Sequence, residues 1–277
     1  MNRISDKYVL YHAVSSYQLL EVILHRLLYH KNDRSVLILP DFISRKYPQY
    51  QRLKKAHFFD EVYLFPYLKI PHESEETVKN SVRRAYERLI PHEIKAFSDV
   101  YVAGAHFYFS LYLIDQRVPF TFLEDAAGML SRWEELYRAL KINYPFHAEI
   151  ALKYGLFNGD NPWIRRVICL KRAQSQDVSG EHYLDFSVED ALAKLPYLER
   201  ERLIHFFVRK KIRTSAEAVL LTQHYANLGV MSAKEQEYLY RRLRETVLKN
   251  QRLIIKVHPD DTLDYQAIFP ESQVIKD

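Results

Sequence analysis

The chain has 277 residues, 48% apolar and 27% charged, with a formal charge of +5; it can fill one large or two modest cores, and its charge suits anionic ligands or an anionic membrane surface. Six glycines and no GxGxxG or GxxxxGKS/T run exclude the classical dinucleotide and P-loop cradles, and a single cysteine, Cys169, excludes a disulfide framework and a thiolate metal site. No apolar run approaches the roughly 20 residues of a membrane span, the opening residues 1–7 hold no long apolar h-region, and no basic-aromatic motif points to nucleic acid, so a cytoplasmic protein without a signal peptide is expected.

The first half alternates between strand and helix patterns. Tyr8 to Tyr11 reads as a strand, and Tyr17 to Tyr29 as a helix with Leu19, Leu20, Ile23, Leu24 and Leu27 at helical spacing. Ser35 to Leu39 is a second strand closed by Pro40-Asp41; 44–55 is helical in pattern but weakened by Pro48. Glu61 to Phe65 reads as a strand, Glu75 to Leu89 as a charged amphipathic helix, and Asp99 to Ala103 as a strand leaving through Gly104. Ala105 to Ile114 reads as a helix and Pro119 to Leu123 as the fifth strand. Short apolar strands joined by helices predict a parallel sheet with helices on both faces.

Residues 129–215 read as helical or irregular, with helical patches at 151–156 and 188–209. The basic stretch 209–215 reads as a solvated linker, and its 209–213 run alternatively as a dock on anionic lipid. The alternation then restarts. Ala218 to Thr222 is a strand, Ser232 to Leu248 a helix with a capping box from Ser232 to Glu235, Leu253 to Val257 a strand, and Gln273 to Ile275 the start of another. The expected organisation is a Rossmann-like domain at 1–208 with a helical insertion, a linker at 209–215, and a short, incomplete Rossmann-like domain at 216–277.

Ligand-binding groups collect at the carboxyl ends of parallel strands. Ser15 and Ser16 follow the first strand and can hold an anion or a sugar hydroxyl, or simply cap the helix. Glu124-Asp125 ends the fifth strand: one acid can take a proton from an acceptor hydroxyl while the other orients it, or both can be acids at a helix start. His106, just past Gly104, is a further candidate at the fourth strand's exit. In the second half, Thr222 and Gln223 can contact a base or ribose, or form a plain polar exit. His258, before Pro259, is a phosphate-facing imidazole or a turn residue, and Lys256 shares its pleat direction. No HxH or HExxH spacing announces a metal.

These fragments, in this order, resemble bacterial sialyltransferases of the lipooligosaccharide and capsule type, glycosyltransferase family 52 and its relatives. The likeness is carried by the strand followed by Ser-Ser-Tyr-Gln-Leu-Leu at 15–20, by Leu-Glu-Asp-Ala-Ala-Gly at 123–128, by Leu-Leu-Thr-Gln at 220–223, and by Lys-Val-His-Pro at 256–259. It implies a GT-B-like fold of two facing Rossmann-like domains with the chemistry in the cleft. It implies inverting, metal-independent transfer from a CMP-activated sugar, with no other cofactor, to a glycan or glycolipid. Glu124 or Asp125 would be the base and His258 would meet the phosphate. Lys256, Pro259, Thr222 and Gln223 would hold the donor, and Ser15, Ser16, Gln18 and His106 the acceptor. Such an enzyme would be cytoplasmic or peripheral at the inner membrane face. Two departures stand out: Ala126 replaces the family's glycine, and the chain ends at Asp277, ahead of the family's serine-containing phosphate segment. They leave room for reduced activity or for a degenerate nucleotide-sugar-binding partner subunit. A CDP-polyol or UDP-hexose transferase of the same fold is the other alternative.

Overall fold

The computed structural model describes residues 7–43, 47–170, 182–208 and 213–276. The chain divides into two compact units, residues 1–209 and 210–277. In the first, β1 (Tyr8–His12), β2 (Arg34–Pro40), β3 (Glu61–Phe65), β4 (Asp99–Ala103), β5 (Phe120–Leu123), β6 (Ile164–Cys169) and β7 (Tyr183–Asp185) form one parallel sheet in the order β3-β2-β1-β4-β5-β6-β7. Parallel strands are covered on both faces, so they read as continuous apolar runs. In β2, Val36, Leu37, Ile38 and Leu39 are all fully buried. Alternate side chains serve opposite faces: Leu10, Val36, Ile38, Val102 and Phe122 enter one core, while Val9, Tyr11, Leu37, Leu39 and Leu123 enter the other.

Helices cover both faces. α1 (Ser16–Tyr29) is capped by Ser15 and lays Leu19, Val22, Ile23 and Leu24 on the second core. α2 (Leu53–Ala56) follows a 3-10 turn at Pro48–Arg52, and α3 (Glu75–Leu89) turns Val78, Val82 and Tyr86 to the first core. α4 (Phe109–Asp115), α5 (Trp133–Asn143) and α6 (Pro145–Lys153) pack on that same core, whereas α7 (Val188–Lys194) and α8 (Tyr197–Phe207) pack on the second. β1 pairs with β2 on one side and β4 on the other, so the direction of chain travel across the sheet reverses at β1. Such a switch point leaves a crevice at the carboxyl ends of the diverging strands.

Two strands overturn the expectation that 129–215 is helical or irregular. β6 was illegible because Arg165 and Arg166 break its apolar run; both are exposed, and Arg165 reaches Asp99 at 2.8 Å. β7 is a three-residue edge strand, too short to show a period. The helix expected from Ala105 begins only at Phe109, because Gly104 takes a left-handed φ of +71° and a turn intervenes. Of the expected helix at 44–55, residues 44–46 lie outside the described residues, as do 209–212 of the basic linker.

The second unit holds β8 (Ala218–Leu221), α9 (Ala233–Thr246), β9 (Leu253–Lys256), α10 (Tyr265–Ile268) and β10 (Gln273–Ile275), with a parallel sheet in the order β10-β9-β8. Both arms of the Ser232–Glu235 capping box are formed. Leu220, Tyr240, Ile255, Val257, Tyr265 and Phe269 make its core. Among the described residues, no helix is long and apolar enough to cross a membrane.

Candidate functional site

The exits of β1, β4 and β5 converge on the carboxylate of Asp125. Gln18, in the first turn of α1, is buried; its Oε1 accepts from the Val14 amide at 2.8 Å, and its Nε2 donates to Asp125 Oδ1 at 2.9 Å. The Gly104 amide donates to the same oxygen at 2.9 Å. Gly104 is required twice over: its φ is +71°, and a Cβ there would lie 2.6 Å from Val14 Cγ2. The second oxygen, Oδ2, lies 3.1 Å from His106 Nδ1, a close contact that does not meet the geometry of a hydrogen bond. The His106 ring stacks on Phe157, and its carbonyl accepts from His147 Nε2 at 2.6 Å. Burial pushes the His147 pKa down to about 4, so this ring is neutral.

Glu124, the other acid of the pair, has a different role. It is 0% exposed, accepts from the Leu130 amide at 3.0 Å and from the Leu170 amide at 2.7 Å, and so ties the exit of β5 to that of β6. Adjacent residues at a strand end point to opposite sides, and here one acid is anchored inward while its neighbour is presented at the sheet edge. The turn that follows takes its left-handed residue at Gly128, φ +78°, rather than at Ala126. Ser15 is occupied as the cap of α1, accepting from the Gln18 amide at 3.2 Å, and Ser16 opens the helix half-buried.

Two buried polar residues here escaped the sequence reading. His12 ends β1 fully buried; its Nδ1 donates to the Ala103 carbonyl at 2.9 Å, which leaves Nε2 to accept from the Tyr67 hydroxyl at 2.8 Å. Burial pushes its pKa down to about 4. Glu21 lies one helical turn beyond Gln18, 0% exposed, with neither carboxyl oxygen hydrogen-bonded. Burial, then the charges of Asp125 and Glu124, raise its pKa well above the usual range. Its only sequence signal was a charge amid the apolar face Leu19 to Leu24. A native state that keeps a proton the unfolded chain releases loses stability as pH rises above about 4.5. Glu21→Met removes a buried carboxyl that has no hydrogen-bond partner and is therefore expected to stabilise the fold by about 1–3 kcal/mol, more at pH 8 than at pH 5.5. Urea unfolding at the two pH values checks this, and an equal effect at both would show Glu21 to be ionised in the native state.

In the second unit the exits of β8 and β9 meet. The His258 amide donates to Thr222 Oγ1 at 3.0 Å, and that hydroxyl donates to Asp261 Oδ2 at 3.2 Å. Buried Gln236 donates to Asp261 Oδ2 at 3.0 Å and to the Gln223 carbonyl at 2.8 Å, so Thr222 and the Gln223 backbone belong to the scaffold of the His258 turn. The His258 ring stacks on His224, 4.0 Å between centroids. Pro259 is exposed beside it. Lys256 Nζ turns to the chain itself, donating to the Val257 carbonyl at 3.1 Å.

A pocket of about 430 Å³ lined by Tyr86, Ile90, His92, Lys95, Tyr112 and Gln116 opens elsewhere in the first unit. It lies where chain segments lead into β4 and β5, the amino edge of the sheet, which is the wrong edge for chemistry in this fold.

No protein-family model and no curated protein matches the sequence. Solved structures do match. LpCGTa in complex with UDP superposes with a TM-score of 0.50 at 14% identity, over 98% of this chain and 70% of its own. A UDP-glucosyltransferase from Polygonum tinctorium capable of glucosylating indoxyl gives a TM-score of 0.51 at 11% identity, over 99% of this chain and 72% of its own. The fold is thus α/β of the GT-B kind, with one seven-stranded and one short parallel sheet.

Proposed function

We propose that the chain is a nucleotide-sugar-dependent glycosyltransferase in which Asp125 is the acceptor-side base and the His258 turn faces the donor phosphate. One observation carries the reading: a carboxylate at the switch point, fixed by two N–H donors on one oxygen and flanked by an imidazole on the other. Such fixation is what general-base catalysis needs, because the base must meet the acceptor proton at hydrogen-bond distance. The acceptor O–H proton passes to the Asp125 carboxylate as the oxygen attacks the anomeric carbon. The bond from that carbon to the phosphate oxygen breaks, and its electron pair stays on the leaving phosphate. Donors of the His258 turn stabilise that growing charge. A single displacement inverts the anomeric centre. Glu124, engaged by two backbone amides, is assigned to the scaffold.

The donor is proposed to be CMP-sialic acid, on the Glu-Asp and His-Pro motifs. A UDP-hexose is the second reading, favoured by the two UDP-linked structural neighbours. Thermal shift with CMP, CDP and UDP separates them. A ligand at 100 times its Kd stabilises by about 2.7 kcal/mol, and CMP is expected to give the largest shift. A larger shift with UDP would move the assignment to hexosyl transfer, and no shift with any of the three would remove the nucleotide-sugar reading.

A further inference from the structure

We propose that His224, His258 and Asp260 form a binding site for a zinc-class divalent metal at the carboxyl edge of the second unit. One ligand atom from each of the three residues lies within 4.8 Å of those of the other two. His224 comes from the exit of β8, whereas His258 and Asp260 come from the turn after β9, so no short sequence spacing announces the set.

A second observation is independent of that proximity. His224 Nδ1 is buried and has no hydrogen-bond partner, the one such side-chain atom among the described residues of this unit. A buried imidazole nitrogen without a partner is unfavourable, and a metal would satisfy it. His258 carries a lone pair of the right kind: its Nδ1 accepts from the Asp260 amide at 3.1 Å and is therefore unprotonated.

Two imidazoles and a carboxylate suit zinc, cobalt or nickel rather than magnesium or calcium, which take oxygen ligands. Zinc bonds near 2.0–2.2 Å place tetrahedral ligands roughly 3.4 Å apart, so the three donors must close in on the ion. A metal also lies in the plane of each ring it binds, and the two rings now stack at 27°. Binding therefore turns the rings apart and displaces the Asp260 amide from His258. Asp260 is exposed and His224 and His258 are only partly buried, which leaves them room to move. Three protein ligands leave a fourth tetrahedral position for water.

The inference does not rest on the transferase reading, although both draw on His258. The test is titration of the chelator-treated full chain with Co2+, followed by its visible absorption, and with Zn2+ against a chromogenic chelator. One equivalent is expected to bind, with the absorption of tetrahedral cobalt, and His224→Ala is expected to weaken binding by about 100-fold or more. Asp260→Asn changes an exposed side chain by one atom and is expected to weaken it too, which protects the test against misfolding of the alanine variant. No stoichiometric uptake by the wild type, or equal uptake by wild type and both variants, would overturn the site. Nucleotide binding is measured separately by thermal shift, so its failure would remove the transferase reading and leave the metal site standing.

Discussion

Asp125→Asn is expected to lower kcat for sugar transfer by about 10²- to 10⁴-fold, the usual scale for a general base, with the fold and donor affinity intact. The substitution is nearly isosteric, and the amide oxygen can still accept from Gly104 and Gln18, so the cradle survives while the base is removed. The neighbouring variant Glu124→Gln has the opposite expected profile. Its carboxylate is buried and serves the Leu130 and Leu170 amides, and an amide side chain offers only one acceptor oxygen. A buried N–H left without a partner costs about 1–3 kcal/mol. In a domain of this size each kcal/mol lowers Tm by about 2–4 °C. Glu124→Gln should therefore melt earlier yet keep kcat within a few-fold in the folded fraction. Steady-state kinetics with melting curves on both variants decide the matter; an active Asp125→Asn beside an inactive, stable Glu124→Gln would reverse the roles.

The two variants differ in outcome because of tertiary neighbours, and that is also where sequence reading reached its limit. Strand positions in the first half were legible, since parallel strands buried on both faces must be apolar throughout. The acidic pair was legible as a pair because it ends such a run. Which acid faces inward depends on the Leu130 and Leu170 amides, and the second of these arrives from β6, the strand hidden by Arg165 and Arg166. Gln18 was visible as part of a resemblance, but its contact with Asp125 spans 107 residues. Gly104 marked a strand exit; its need for a left-handed φ beside Val14 appears only once β1 and β4 pair. His224 and Glu21 gave almost no signal, since a partnerless polar atom is a property of surroundings and not of spacing.

Acid is expected to destabilise the first unit well above the pH at which its carboxylates titrate. Three buried histidines are neutral in the native state. Burial pushes His12 down to about 4, His25 to about 3 and His147 to about 4. In the unfolded chain each takes up its proton near pH 6.5. A histidine whose native pKa is depressed adds stability that is complete above the unfolded value and is lost as pH falls toward the native one. Each contributes a slope of about 1.4 kcal/mol per pH unit in that window. Glu21 opposes them, because its raised native pKa lets the folded state bind a proton that the unfolded chain releases above about 4.5. Two excess protons on the unfolded chain therefore remain between about pH 6 and 4.5, or a slope of about 3 kcal/mol per pH unit, so about 4 kcal/mol is lost across that window, a large part of a typical domain's 5–15 kcal/mol. Surface carboxylates act lower: Glu75 is drawn down to about 2 by hydrogen bonds from Lys153, then Lys79 and Tyr154, and its contribution fades only below about pH 4.5. Urea midpoints between pH 7 and 4.5 measure the slope. His25→Gln should make it shallower by one proton's worth, whereas Glu21→Met should raise stability and steepen the slope by the same amount. A midpoint that stays flat from pH 7 to 5 would mean that these imidazoles reach water in the native state, and the close packing assigned around His12, His25 and His147 would fall with it.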